Sequence, residues 1–128
     1  MLKVRIFSFS FKKGIPVNDD ANGGGFVFDC RALDNPGRKT EYKTLTGKDK
    51  EVIKYIENAL RTNDFITNVL NLISISIDNY IERDFTDLSL AFGCTGGQHR
   101  SVYCAEKIAA IVKEKYPMVF VELEHLEI

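Results

Sequence analysis

An apolar run, Leu88-Ser89-Leu90-Ala91-Phe92, runs straight into a glycine-rich turn, Gly93-Cys94-Thr95-Gly96-Gly97, and an amphipathic helical pattern leaves it after Gln98-His99-Arg100-Ser101. This junction constrains the fold more than any other stretch. A strand that is apolar almost without interruption is read as covered on both faces, as the central strands of parallel sheets are. Parallel neighbours need long crossovers, usually helical, so a strand–turn–helix unit points to a layered α/β architecture. The same junction gathers backbone N–H groups at the positive end of a helix dipole. Arg100 adds a planar fork that matches phosphate or carboxylate oxygens. The segment is therefore read as an oxyanion cradle, with phosphate the best match.

The rest of the chain fits such a frame. Leu2, Val4 and Ile6 alternate with Lys3 and Arg5, and Phe7 to Phe11 continues as an aromatic strand. Lys12 to Pro16 ends it, and Asn18 to Gly25 reads as a surface loop whose glycines lack the Gly-Lys-Ser/Thr of a nucleotide-binding loop. Phe26 to Cys30 is a second short strand, followed by a polar loop from Arg31 to Gly37. Thr46 precedes a predicted helix from about Lys48 to Leu60, with Val52, Ile53, Ile56 and Leu60 on one face. Asp64 is read as the cap of a longer helix in which Ile66, Val69, Leu70, Ile73, Ile77, Tyr80 and Ile81 keep helical spacing. Leu72 and Ile75 widen that face, which is read as burial on two sides in preference to a subunit interface. The helix after the turn carries Val102, Ala105, Ile108, Ala109, Val112 and Tyr116 until Pro117 stops it, and Met118 to Leu123 is a final strand. The order β-β-α-α-β-α-β predicts one α/β domain over residues 1–128, with a mixed sheet of about four strands and three helices. Ligands in such sheets bind beyond the carboxyl ends of the strands.

Composition narrows the function classes. With 128 residues, 45% of them hydrophobic, the chain suits one domain with a real core. No apolar run reaches the roughly 20 residues that span a bilayer, and Lys3 and Arg5 precede no signal-peptide core. The three cysteines, Cys30, Cys94 and Cys104, are odd in number and form no Cys-x-x-Cys pair, and only His99 and His125 stand ready to assist as ligands. A disulfide scaffold and structural zinc are not expected, nor is any cofactor, and the reducing cytoplasm is the expected location. A net charge of −1 argues against a dedicated nucleic-acid binder.

The cradle also has the spacing of a catalytic loop. Five residues separate Cys94 from Arg100, and Ser101 follows, as in the phosphate loop of tyrosine phosphatases. In that chemistry the loop N–H groups lower the thiol pKa, the thiolate attacks phosphorus and the arginine holds two oxygens. Asp29 and Asp34 lie on a loop from which a general acid can come. The competing reading makes Cys94 a small buried hydrophobe at a strand end, and Gly93 stands where these phosphatases usually place a histidine. His99 is read as a phosphate contact, with capping or packing as the alternative. Cys30 and Cys104 are read as core.

Several segments in order resemble the C-terminal domain of RapZ, the bacterial RNase adapter protein. They are Ser8-Phe9 with Phe11-Lys12 and Gly14-Ile15-Pro16, then Val27-Phe28-Asp29 with Arg31, and Asn35-Pro36. Leu45-Thr46-Gly47 with Asp49-Lys50 follows, then Gly93-Cys94-Thr95-Gly96-Gly97 with His99-Arg100-Ser101-Val102-Tyr103. The resemblance implies a module associated with small-RNA binding and with sensing glucosamine-6-phosphate, and one that forms oligomers. It carries the phosphate contacts onto Thr95, Gly96, Gly97, His99, Arg100 and Ser101. Gln98 in the same loop, and Asp29, Arg31 and Asn35 in the earlier segments, complete the candidate ligand set. RapZ also has an N-terminal P-loop domain, and its nucleotide chemistry is not carried over to this chain. Departures are Gly37 and Arg38 where the family has a histidine and an aromatic residue, Gln98 for a loop lysine, and Ser10 for a glycine. Residues 18–25 read as an insertion. The family's basic tail is replaced by a segment with Glu122, Glu124 and Glu127, which weakens an RNA role even with Lys12, Lys13, Arg38, Lys39 and Lys43 nearby in sequence. The expectation is a non-enzymatic regulatory domain that binds a phosphorylated small molecule, no membrane, and homo-oligomers. An RNA adaptor and a cysteine-dependent phosphatase using Cys94, Arg100 and Asp29 are the alternatives.

Overall fold

Alternating side chains make strands here, and the register shows which alternation is buried. The computed structural model describes residues 1–17, 22 and 24–128. Strands β1 (Lys3–Ser10), β2 (Gly25–Asp29), β3 (Asp87–Cys94) and β4 (Phe120–His125) form one sheet in the order β2-β3-β1-β4. Helices α1 (Lys50–Glu57), α2 (Thr62–Glu82) and α3 (Arg100–Lys115) complete an α/β fold in the expected order. Two short 3₁₀ turns, Pro36–Arg38 and Thr40–Tyr42, lie between β2 and α1.

Across the sheet, Leu88, Val4 and Val121 align, and the next inward row is Phe26, Leu90, Ile6 and Leu123. These rows join Val52 and Ile56 of α1, Ile66, Val69, Ile73 and Ile77 of α2, and Cys104, Ala105, Ile108 and Val112 of α3 in one core. The third row is mixed: Phe28 stacks on Phe92 at 5.3 Å between ring centroids, while Ser8 and His125 stand beside them. Ser8 Oγ lies 2.6 Å from His125 Nδ1, and His125 Nε2 lies 2.7 Å from Glu106 Oε2 on α3, so the polar pair is satisfied within the helix layer. The opposite face carries charge, with Arg5 between Asp87 and Glu122.

Four expectations are corrected. The sheet is not mixed: every strand pairing is parallel. Strand alternation has the same period in both arrangements, and the long connections between consecutive strands leave no hairpin to impose reversal. Asp64 is the third residue of α2 rather than its cap, and Arg61 holds the cap position without a side-chain bond. Helix α1 ends at Glu57, so Leu60 falls in the following turn and is exposed. Leu72 and Ile75 are not buried on a second side; they are 47% and 69% exposed. The expected loop over residues 18–25 falls mostly outside the described residues. Within it, the Asn22 Oδ1 accepts the N–H groups of Thr86 and Asp87 at 3.0 and 3.1 Å and so holds the start of β3.

The carboxyl ends of β1, β2 and β3 stop together, at Ser10, Asp29 and Cys94. The glycine-rich turn, the 31–38 segment and the 42–49 segment converge beyond that edge.

Candidate functional site

The turn between β3 and α3 is tied down from three directions. Ser10 Oγ donates to the Thr95 carbonyl at 2.6 Å, and Phe11 N donates to the Cys94 carbonyl at 3.0 Å. Gly47 N donates to the Gln98 carbonyl at 2.9 Å, and the Gln98 amide returns the link by donating to the carbonyls of Lys43 and Leu45. Gly97 takes φ +68°, a conformation that favours glycine. A side chain there would meet Glu127 Cγ at 2.6 Å and the backbone of Phe9 and Ser10 at 2.9 Å, so only glycine lets the turn lie on β1.

A cavity of about 340 Å³ opens on this turn. Its floor is Cys94, Thr95 and Gly96, with Gln98, His99 and Arg100 at the helix start. Asn35, Gly37, Lys12 and Lys43 complete the lining, both lysines being exposed. No carboxylate lines it among the described residues. Three cationic residues around one helix start make this the concavity best suited to an anion. A larger hollow of about 570 Å³ beside α1 has Asp34 and Glu51 as well as Lys54 and two tyrosines. It has no buried charged group to hold a ligand, so the smaller cavity is the better candidate site.

Arg100 is the central cation. It is 6% exposed, and its Nη1 donates to the carbonyls of Arg31 at 2.8 Å and Leu33 at 3.2 Å. Its Nη2 reaches Thr95 Oγ1 only at 3.5 Å, which leaves most of that donor's capacity for a ligand. His99 lines the cavity and also makes a contact behind it. Its Nε2 donates to the Tyr42 carbonyl at 2.8 Å, so the ring anchors the 3₁₀ turn while it lines the cavity.

The other expected residues divide. Thr95, Gly96, Gln98, His99, Arg100 and Asn35 come together in the cavity. Gly97 and Ser101 do not line it; Gly97 shapes the turn, and Ser101 lies behind Cys94 and accepts its thiol at 3.2 Å. Asp29 and Arg31 also stand outside it, locked together through Arg31 Nε and Nη2 at 2.7 to 3.1 Å, with the guanidinium 4.0 Å above the Phe11 ring. Lys12, Lys43 and Gly37 were not expected as site residues. A signal for Lys12 exists in sequence: it follows β1 at the same sheet edge at which Thr95 follows β3.

Titration behaviour follows from these contacts. The Arg31 side chain holds the Asp29 carboxyl below its ordinary value, so Asp29 stays ionised and is a poor proton donor. Burial alone would raise the Cys94 thiol, but hydrogen bonds from Ser101 and the Gly97 backbone, with the Arg100 charge, bring it below 9.0. Burial pushes the Cys30 thiol well above 9.0, with Cys104 beside it, and burial with Glu57 raises the Tyr103 phenol. For Cys30 and Tyr103 the folded chain keeps a proton that the unfolded chain releases. Their stabilising contribution is complete below the unfolded pKa values and is lost as pH rises from about 9. The Cys94 contribution has the opposite sign, being complete above 9.0 and lost as pH falls through its folded value. Urea midpoints measured from pH 9 to 11 are expected to fall, and Tyr103→Phe is expected to flatten the fall above pH 10. An unchanged midpoint across that range contradicts the assignment.

The RapZ C-terminal domain family model matches residues 2–128. A protein of Lactobacillus helveticus named as a nucleotide-binding protein is 38% identical over 125 residues, covering 98% of this chain and 40% of the relative. A similarly named protein of Bifidobacterium adolescentis is 40% identical over 126 residues, covering 98% of this chain and 39% of its own. One from Thermosipho africanus is 34% identical over 125 residues, covering 98% and 42%. The chain thus spans about 40% of the length of these curated relatives. With a match that runs from β1 through β4 and contains the whole cradle, the chain belongs to the RapZ C-terminal domain family.

Proposed function

We propose that this RapZ-type domain is a non-catalytic regulatory module that holds a phosphorylated small metabolite, of the size of an amino-sugar phosphate, on the Cys94–Arg100 turn. The observation that carries the reading is the all-cationic cavity: Lys12, Lys43 and a nearly buried Arg100 face one helix start with no carboxylate among the lining residues described. A buried guanidinium is expensive to desolvate unless carbonyls and a counter-anion share it. The relatives are named as nucleotide-binding proteins, which agrees with a phosphorylated ligand, and this chain corresponds to part of each.

The geometry favours a cradle over a thiolate catalyst. Cys94 is 2% exposed with its sulfur turned to Ser101, and Asp29 is neither in the cavity nor protonated. The exposed Leu72 and Ile75 on α2 support self-association. For RNA, the same Lys12 and Lys43 are the cations a backbone would use, while β4 presents Glu122 and Glu124.

Titration calorimetry with inorganic phosphate and glucosamine-6-phosphate tests the reading. Both are expected to bind, and the Lys12→Ala, Lys43→Ala double variant is expected to weaken binding about tenfold, or about 1.4 kcal/mol. Absence of binding by the wild type refutes it.

A further inference from the structure

Arg100 borders a second hollow. This one, of about 420 Å³, is lined by Arg31, Arg38 and Arg100 with Asn35, and Asp34 is its one carboxylate among the described lining residues. It shares Asn35 and Arg100 with the phosphate cavity, so the two meet at those side chains. We propose that they are two halves of one composite site, whose ligand is a compact metabolite with two separated anionic groups, such as a sugar bisphosphate. This rests on the phosphate reading and narrows it to a ligand class.

The shared side chains are built for bridging. Arg100 is nine-tenths buried, and its Nε has no hydrogen-bond partner among the described residues. Its Nη1 is fixed by the Arg31 and Leu33 carbonyls, which border the second hollow, while Nη2 lies toward Thr95 in the first. Asn35 is oriented by the Gly37 N–H, which donates to its Oδ1 at 2.9 Å, so its amide NH₂ remains as a donor between the halves. A side chain at Gly37 would come within 3.0 Å of that Oδ1 and 3.4 Å of the His99 ring, and glycine leaves this junction open.

The halves differ in strength. Lys12 and Lys43 face no acid in the first. In the second, Asp29 offsets Arg31 through a two-point ion pair, and Asp34 offsets part of the remaining charge. Arg38 is exposed and makes no ion pair among the described residues, which leaves it as the cation most available to a second anion. One phosphoryl group therefore belongs on the turn, and the second anionic group belongs beside Arg38.

Calorimetry at fixed ionic strength with inorganic phosphate, glucose 6-phosphate, fructose 1,6-bisphosphate and pyrophosphate tests this. The bisphosphate is expected to bind at least about tenfold more tightly than the monophosphate. Pyrophosphate has comparable charge without a spacer and is expected to gain less. Arg38→Ala is expected to bring the bisphosphate-to-monophosphate ratio close to one, and Asp34→Asn to raise it. A wild-type ratio near one, or a ratio untouched by Arg38→Ala, overturns the two-anion site while phosphate binding itself stands. Failure of every ligand to bind overturns both.

Discussion

Arg100→Ala is expected to abolish measurable phosphate binding at millimolar ligand and to lower stability at the same time. Charged hydrogen bonds contribute about 1.5–3 kcal/mol each, so losing the fork weakens an anion complex by about 100-fold or more. The stability loss has a separate cause. The Arg31 and Leu33 carbonyls both accept from Nη1, and orphaning the buried Leu33 acceptor costs about 1–3 kcal/mol unless water replaces the donor. Arg100→Lys keeps the charge but not the planar fork. It is expected to recover part of the binding and little of the stability, since one ammonium cannot serve two carbonyls and a ligand in the same geometry. Calorimetric titration and a melting curve on each variant separate the two effects. Phosphate affinity within about twofold of wild type in Arg100→Ala removes the turn from the binding reading.

Gly47→Ala is expected to be nearly as damaging, although residue 47 touches no ligand cavity. A methyl group there would overlap the His99 carbonyl oxygen and lie 2.5 Å from Tyr103 N and 2.9 Å from Val102 Cβ. His99 O and Tyr103 N form the first hydrogen bond of α3, at 2.9 Å. Two backbone segments therefore pack directly on each other, and no rotamer change relieves the clash. Overpacking of this kind costs about 3 kcal/mol, which for a domain of this size corresponds to a fall in Tm of about 10 °C. The helix start moves as well, so phosphate affinity is expected to drop in the fraction that stays folded. Gly96→Ala is the control, because a side chain there meets nothing within 4 Å. Its Tm is expected to stay within about 2 °C of wild type, as open surface positions do. Equal melting temperatures for the two variants refute the close-packing account of Gly47.

The part of this molecule written locally was readable. The apolar run, the glycines and the helical pattern around residues 88–112 dictate strand, turn and helix by themselves. What depends on the path of other segments was not. Strand direction leaves no mark in a period of two, so the parallel sheet could not be told from a mixed one. Lys43 reaches the cavity because the Gln98 amide holds the 43–45 backbone, a contact between residues more than fifty positions apart. Gln98 and His99 line the cavity, but the Gln98 amide nitrogen and His99 Nε2 also serve the Lys43, Leu45 and Tyr42 carbonyls, which no local pattern shows. Residue type announces donors but not the acceptors that claim them. Leu72 and Ile75 show the reverse limit, since an apolar residue at helical spacing need not find a partner within its own chain.

The Ser8–His125–Glu106 chain of contacts has a consequence for how the last strand finds its place. β4 is an edge strand that lies beside β1 in sequence-distant pairing, and edge strands can slide along their neighbours. A slip of one residue would turn Glu124 toward the helix layer, leave Ser8 without its partner and present a carboxylate to Glu106. In the native alignment the imidazole alone completes both contacts. The trio acts as a proofreading lock: the wrong alignments are penalised by stranded polar atoms, and the right one is selected by a single histidine.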